Sequence, residues 1–346
     1  MNESTALSLP WLRDPLRAAL AATRDHHLLL VHGPQGVGQF EFALSLAQAW
    51  LCEAATGVAR PCGQCASCRL VLSHNHPDLL VLLPEALQEA LGWAPAASEE
   101  GASARPERKP SKEIKVDSAR RAVAFAQLSC ARGRAKVVVL YPAERLNAVA
   151  ANTLLKTLEE PPGLARFVLA SGAPAALPAT VRSRCQALHL PLPDAAEAER
   201  WLAQQGVAGA GVLLAASGGQ PLTAKAWADE GIDAAAWAEL PARVAAGDAG
   251  GLPAWPVPHA VDALLKLCHD AMLVSLGGRA RYFPAVPVAP ALAPLQAWQV
   301  ALVEAARYAE HPINAGLLVE SLVMQGRRAL HAAERRDTPS LHSRHD

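Results

Sequence analysis

Five short apolar runs, "HLLLVHG", "DLLVLLP", "KVVVLYP", "RFVLASG" and "QALHLPL", lie between His27 and Leu192 and constrain the fold more than any other feature of the chain. They are rich in Leu and Val and bounded by turn residues, and they read as buried strands. Between them come stretches of helical period, among them Phe40–Leu51, Ser118–Gln127 and Ala148–Leu158. Strands and helices alternating in this way imply an α/β fold, a parallel sheet with helices on both faces. In such sheets ligands sit beyond the carboxyl ends of the strands, so the segment directly after the first run is the first place to look for chemistry.

That segment is "HGPQGVGQF", His32 to Phe40. Its spacing fits G-x-x-x-x-G-K-[ST], in which backbone N–H groups cradle phosphates, the lysine neutralises them and the hydroxyl holds Mg²⁺. Gly33 and Gly38 stand at the right distance with Gly36 between them, but Gln39 replaces the lysine and Phe40 the hydroxyl. A working nucleotide motor of this architecture also needs two acidic residues after a later strand, one for Mg²⁺ and one to polarise water. The corresponding strand is Lys136–Leu140, and Tyr141 and Pro142 follow it. Glu144, slightly further on, reads as a solvated charge at the start of a helix. Loss of the lysine, the hydroxyl and both acids at separate places argues against hydrolysis. The loop reads as vestigial, with no functional ATP site expected.

The seven cysteines carry a second signal. Cys62, Cys65 and Cys68 form two consecutive C-x-x-C steps, and Cys52 precedes them at the end of the helix that follows the loop. Two-residue spacers let thiolates turn onto one tetrahedral ion, and four soft ligands suit a structural Zn²⁺ with no open position for catalysis. The alternatives are ordinary buried thiols, or a ligand from His74 or His76 in "SHNHPDL". Cys130 and Cys268 read as core packing, with Cys185 isolated.

At 346 residues, 51% of them apolar, the chain has room for two or three domains. Its 32 basic residues balance 32 acidic ones, which argues against a protein that grips nucleic acid by itself. "MNESTALSLPWLRDPLRAAL" reads as neither signal nor transit peptide, and no stretch is long enough to span a membrane; a cytoplasmic location is the expectation. From Glu89 to Lys112 the composition shifts to Ala, Pro, Ser, Glu, Arg and Lys and predicts a mobile surface loop. After Pro191 the pattern is of Ala/Leu-rich helices broken at "SGGQP", "GDAGGLPAWPVP" and "GGRARYFPAVPVAP".

The string "ANTLLKTLEEPP" (Ala151–Pro162), followed by "FVLASGAPAALPATVRSRCQALHL" (Phe167–Leu190), resembles the clamp-loader branch of the AAA+ ATPases. Together with the degenerate loop and the four cysteines, it is similar more narrowly to the delta-prime family of bacterial DNA polymerase III subunits. The resemblance covers about the first 225 residues of the chain, and more weakly "NAGLLVESLV" from Asn314. It implies an AAA+ α/β domain over 1–191, with a zinc module at about 52–76, a helical lid over 192–231, an all-α oligomerisation collar over 232–335 and a flexible tail over 336–346.

In that family the arginine of Ser183-Arg184-Cys185 reaches across a subunit interface to the neighbour's nucleotide. Arg184 is thus implied to be an arginine finger acting in trans, a planar and always charged fork set against developing phosphoryl charge; its bland reading is a surface salt bridge. Arg182 has a weaker claim. Gln220 and Pro221 stand where active relatives place a sensing arginine, and Ser171 keeps the polar position after the fourth strand. The implied partners are gamma/tau-type ATPase subunits, a delta subunit, a sliding clamp and primed DNA reached through the complex. The implied role is a non-hydrolysing part of the polymerase holoenzyme at the replisome. Two other readings are an active ATPase with an atypical loop, and a zinc-knuckle nucleic-acid reader; "RPCGQCASCRL" offers the latter two arginines but no aromatic for stacking.

Overall fold

The apolar runs form five strands, β1 (Leu28–His32), β2 (Leu79–Leu82), β3 (Lys136–Leu140), β4 (Ala165–Ser171) and β5 (Gln186–His189). All are parallel, in one sheet of order β2-β3-β4-β1-β5. The computed structural model describes residues 9–23, 26–55, 59–93, 110–289, 291–308 and 314–331. Most of the expected loop, 94–109, and the expected tail, 336–346, lie outside the described residues.

Burial follows position in the sheet. β1, β3 and β4 are buried almost throughout, as central strands covered on both faces must be. β2 is half-buried, and β5 exposes three of its four residues, which corrects the expectation of a fifth buried strand. An edge strand pairs on one side only, so its side chains find less cover.

The helices of this part are α1 (Arg13–Ala22), α2 (Gln39–Leu51), α3 (Ala66–Leu72), α4 (Glu85–Gln88), α5 (Val116–Gln127), α6 (Ala148–Glu159) and α7 (Ala179–Arg182). Their starts follow from local chemistry. Asn147 caps α6 by accepting from Ala150 N–H at 2.9 Å, and Gly38, at φ 100°, supplies the left-handed residue before α2. Leu28, Leu30, Val138, Leu140, Phe167 and Leu169 share a core with α5 and α6. The intervening residues of the same strands face the other way, toward α2.

One charged pair interrupts the apolar interior. Lys136 opens β3 with its side chain 5% exposed, and its ammonium donates to Asp78, 0% exposed, at 2.9 Å. Asp78 also accepts from Ala131 and Arg132 N–H, both at 2.8 Å. The ammonium lies 4.7 Å from the centre of the Phe125 ring. Burial works to raise the Asp78 pKa, but the N–H of Ala131, the Lys136 ammonium and the N–H of Arg132 outweigh it and hold it below the ordinary value.

The chain divides into two compact units, Met1–Glu197 and Ala198–Asp346. α8 (Ala195–Gln204) carries it from one to the other, followed by α9 (Ala210–Ala216), α10 (Pro221–Asp229), α11 (Ala234–Ala246), α12 (Val257–Ser275), α13 (Leu292–Tyr308) and α14 (Ala315–His331). Trp237 of α11 stacks on Trp227 of α10 at 5.4 Å and on Phe283 at 4.9 Å. The Lys266 ammonium of α12 lies 4.5 Å from the Trp227 ring centre. Helices α10, α11 and α12 therefore share one core. Among the described residues no helix is long and apolar enough to cross a membrane.

Replacing Asp78 with alanine leaves Lys136 charged and unpaired in the interior, and should lower unfolding stability by about 3–5 kcal/mol in urea titration at neutral pH. Because the Asp78 pKa is depressed, its contribution is complete above about pH 4 and lost as acid protonates it. The gap between wild type and Asp78→Ala should therefore narrow below that pH.

Candidate functional site

β1 ends with His32 opposite Ser171 of β4 on one side and His189 of β5 on the other. The loop that follows thus sits at the carboxyl end of the sheet's centre. Gly33 is pressed against the next chain segment: a Cβ there would fall 2.2 Å from the Leu190 carbonyl oxygen. Gly36 and Gly38 both take positive φ, 77° and 100°. The turn of a phosphate loop is intact.

Its functional groups are turned inward. Gln39 is 2% exposed, and its amide Nε2 donates to the carbonyls of Gly33 at 2.8 Å and Pro34 at 2.6 Å. Trp11 Nε1 donates to the Val37 carbonyl at 2.9 Å. Side-chain donors from within the chain therefore occupy three carbonyls of the loop. Phe40 stacks on Tyr141 with ring centres 5.1 Å apart. An aromatic pair thereby joins the helix position of the metal-holding hydroxyl to the strand-end position of the missing acids. Burial, then Glu41 and Glu144, push the Tyr141 hydroxyl up to about 12, and burial also raises the Glu41 carboxyl.

Glu144 is not the solvated charge expected of it. Its Oε1 accepts from Gly172 N–H at 3.3 Å, and its Oε2 is buried without a partner among the described residues. The residue is half-buried because a 3₁₀ turn, Ala143–Arg145, folds the end of β3 against the residue that follows β4. Ser171 is fully buried, its hydroxyl accepting from Ala173 N–H at 3.1 Å. In the second unit, Gln220 precedes Pro221 at the start of α10 and accepts from the Thr223 hydroxyl at 3.1 Å.

The four cysteines converge. Their sulfurs all lie within 4.8 Å of one another, with Cys62–Cys68 at 3.9 Å and Cys65–Cys52 at 4.0 Å. Tetrahedral thiolates at about 2.3 Å from a central ion stand about 3.8 Å apart, so the set fits one soft metal ion. Backbone N–H groups point at the sulfurs, from Cys65 to Cys62 at 3.4 Å and from Cys68 to Cys65 at 3.3 Å. Gln64 and Cys65 N–H draw the Cys62 thiol down to about 6, whereas burial raises Cys52 and Cys68. A bound cation favours the thiolate at all four, so loading releases protons.

Neither nearby histidine joins the cluster. His76 is buried, its Nδ1 accepting from Asp78 N–H and its Nε2 3.0 Å from the Ser67 hydroxyl. Arg132 donates from Nε to Ser67 at 3.0 Å and to Glu53 at 2.7 Å. This polar chain ties the cysteine module to Asp78 and the edge of the sheet. His74 stacks on Trp93, ring centres 4.0 Å apart, and contacts the Gly92 carbonyl at 2.8 Å. The expected loop from Glu89 is therefore held against the module as far as Trp93.

Arg184 follows α7 on the surface, its side chain 37% exposed. Nε and Nη2 both engage Glu159 Oε1, and Nη1 donates to the Thr180 carbonyl at 2.6 Å. Arg182, its neighbour in sequence, reaches the Pro174 carbonyl at 3.3 Å. The Cys185 thiol donates to the Val181 carbonyl, and burial pushes it up to about 12, which leaves it inert. Sequence reasoning singled out Arg184, although it did not identify Glu159 as its partner within "LEEPP". No local pattern signals that pairing, since the two are 25 positions apart.

Residues 11–194 match the family described as DNA polymerase III, delta subunit. The chain is 36% identical over 228 residues to the DNA polymerase III subunit delta' of Pseudomonas aeruginosa, covering 64% of this chain and 62% of that protein. To subunit delta' of Escherichia coli K12 it is 35% identical over 218 residues, 61% and 58% of the two chains. To DNA polymerase III subunit tau of Salmonella typhimurium it is 35% identical over 176 residues, 51% of this chain and 23% of that one. The chain spans about three fifths of the length of these delta' relatives.

Serine at Cys62 or Cys65 should drive bound metal toward zero by elemental analysis and lower the melting temperature, and a chelator should do the same to the unmodified chain; Cys130→Ser should leave both unchanged. Gln39→Ala strips two loop carbonyls of their donor and should cost about 1–3 kcal/mol in urea unfolding.

Proposed function

The chain belongs to the DNA polymerase III delta subunit family through residues 11–194, and from that membership we infer that it is a non-hydrolysing clamp-loader subunit. One observation carries the reading. The side chain that would have to be a phosphate-binding ammonium is a neutral amide, buried and bound to the loop's own carbonyls at Gly33 and Pro34. A lysine in a working loop extends toward the β- and γ-phosphates. Gln39 instead closes the loop on itself. The Phe40–Tyr141 stack does the same for the metal-binding positions.

What remains chemically active points outward. We assign Arg184 the part of a finger acting in trans, supported by the Ser183-Arg184-Cys185 tripeptide, its surface position and its fixed charge. Its target is the nucleotide of a neighbouring ATPase subunit of gamma/tau type, and similarity to a tau subunit over 176 residues supports a common core for such neighbours. A delta subunit, a sliding clamp and primed DNA complete the assembly, with the DNA contacts shared among subunits, consistent with a net charge of +0. The C-terminal helices serve as the oligomerising collar, and the complex works in the cytoplasm at the replisome. The four-cysteine site takes Zn²⁺ in a purely structural role, because a closed thiolate shell leaves no position for substrate.

The test is reconstitution with the cognate ATPase subunits and clamp. The isolated chain should show no Mg²⁺-dependent ATP turnover. Arg184→Ala in the complex should abolish turnover at the neighbouring site, a loss of about 10³-fold or more there, and with it most of the clamp loading. Turnover by the isolated chain, or an unimpaired mutant complex, would overturn the assignment.

A further inference from the structure

The contacts of Arg184 describe more than a salt bridge. A guanidinium has five N–H donors on three edges. Glu159 takes the edge formed by Nε and Nη2, and the Thr180 carbonyl takes one hydrogen of Nη1. One N–H on each of Nη1 and Nη2 has no partner among the described residues. The Nη1–Nη2 end of the side chain, which Glu159 does not occupy, thus keeps donors for the oxygens of a phosphate.

The backbone beneath is equally constrained. Val181 of α7 is fully buried, and Ser183, Arg184 and Cys185 each donate a main-chain hydrogen bond back to Ala179, Val181 and Arg182. Thr180, which supplies the carbonyl, lies on the same helical turn. Glu159 comes from a different element, as the last residue of α6. A carboxylate there faces the negative end of the helix dipole and is locally unfavourable. Pairing with Arg184 gives it a reason to be there that helix formation does not.

We propose that Glu159 is the positioning residue for Arg184, holding the guanidinium by its side edge so that its terminal fork is presented to the neighbouring subunit's phosphates before the subunits meet. The proposal rests on the finger role of Arg184. An unheld arginine samples many rotamers, and only some of them present the fork. Fixing one edge removes that search while leaving the reactive edge open. The carboxylate does not compete for the fork itself, so no bond to Glu159 has to break when phosphate arrives.

The test uses the reconstituted complex with Arg184→Ala, Glu159→Ala, the double variant and Glu159→Gln. Glu159→Ala should lower turnover at the served site about tenfold, as expected for a misplaced group, with the nucleotide KM unchanged. The double variant should be no slower than Arg184→Ala alone, because Glu159 acts only through the arginine. Glu159→Gln keeps one acceptor oxygen and should recover most of the rate. Unaltered melting temperatures would accompany all four, since exposed pairs add little stability.

A wild-type or faster rate in Glu159→Ala, a changed KM, or additive losses in the double variant would overturn the positioning role while leaving the finger intact. If Arg184→Ala itself is unimpaired, the finger assignment fails and the positioning role falls with it.

Discussion

The first unit depends on the pairing of β1 with β4 and β5. Because the sheet is parallel and its central strands are covered on both faces, its interior favours apolar side chains, and ligand-binding chemistry belongs at the strand ends. The register that sets His32 opposite Ser171 and His189 gathers three segments at one such end. Gly33 meets Leu190 there and Gly172 meets Gln35, with the Leu190 carbonyl so close to Gly33 that no side chain fits. At the opposite end, Lys136 enters the interior as β3 begins, and it does so only because Asp78 is buried with it.

The loop from Gly33 to Gly38 follows one physical rule. A lysine, a metal and two carboxylates form a balanced site when triphosphate is present; without it they are unpaired charges in a partly closed pocket. Here Gln39, Phe40 and Tyr141, which stand at three positions of that template, find their partners inside the chain. Gln39 uses the loop carbonyls, Phe40 and Tyr141 use each other, and Trp11 takes the carbonyl of Val37. Glu144 braces the end of β3 against Gly172. The loop is kept as a structural joint between strand and helix.

The remaining features divide between holding and reaching. The cysteine module is tied to the sheet edge by Glu53, Arg132, Ser67, His76 and Asp78, a continuous polar chain in which each group has a partner. Arg184 stands at the surface on a short, well-anchored turn, half-engaged and half-open. The two sites draw on different elements of the first unit.

Much of this was legible in the residue order. Five apolar runs became five strands, three helices appeared within two residues of their expected starts, and the two C-x-x-C steps with Cys52 closed on one point. These are local signals: strand and helix period, turn glycines and ligand spacing act over a few residues and are visible without a partner. The missing lysine, hydroxyl and acids were legible for the same reason. Tertiary structure alone decided what became of them, because pairing across long sequence separations leaves no local trace. It showed that Gln39 folds back on its own loop, that Glu144 is half-buried with its Oε2 enclosed, that β5 lies exposed at an edge, and that Glu159 pairs with Arg184. Local chemistry determined which elements the residues formed; packing decided which of them meet, and so which side chains are bound inward and which stay at the surface.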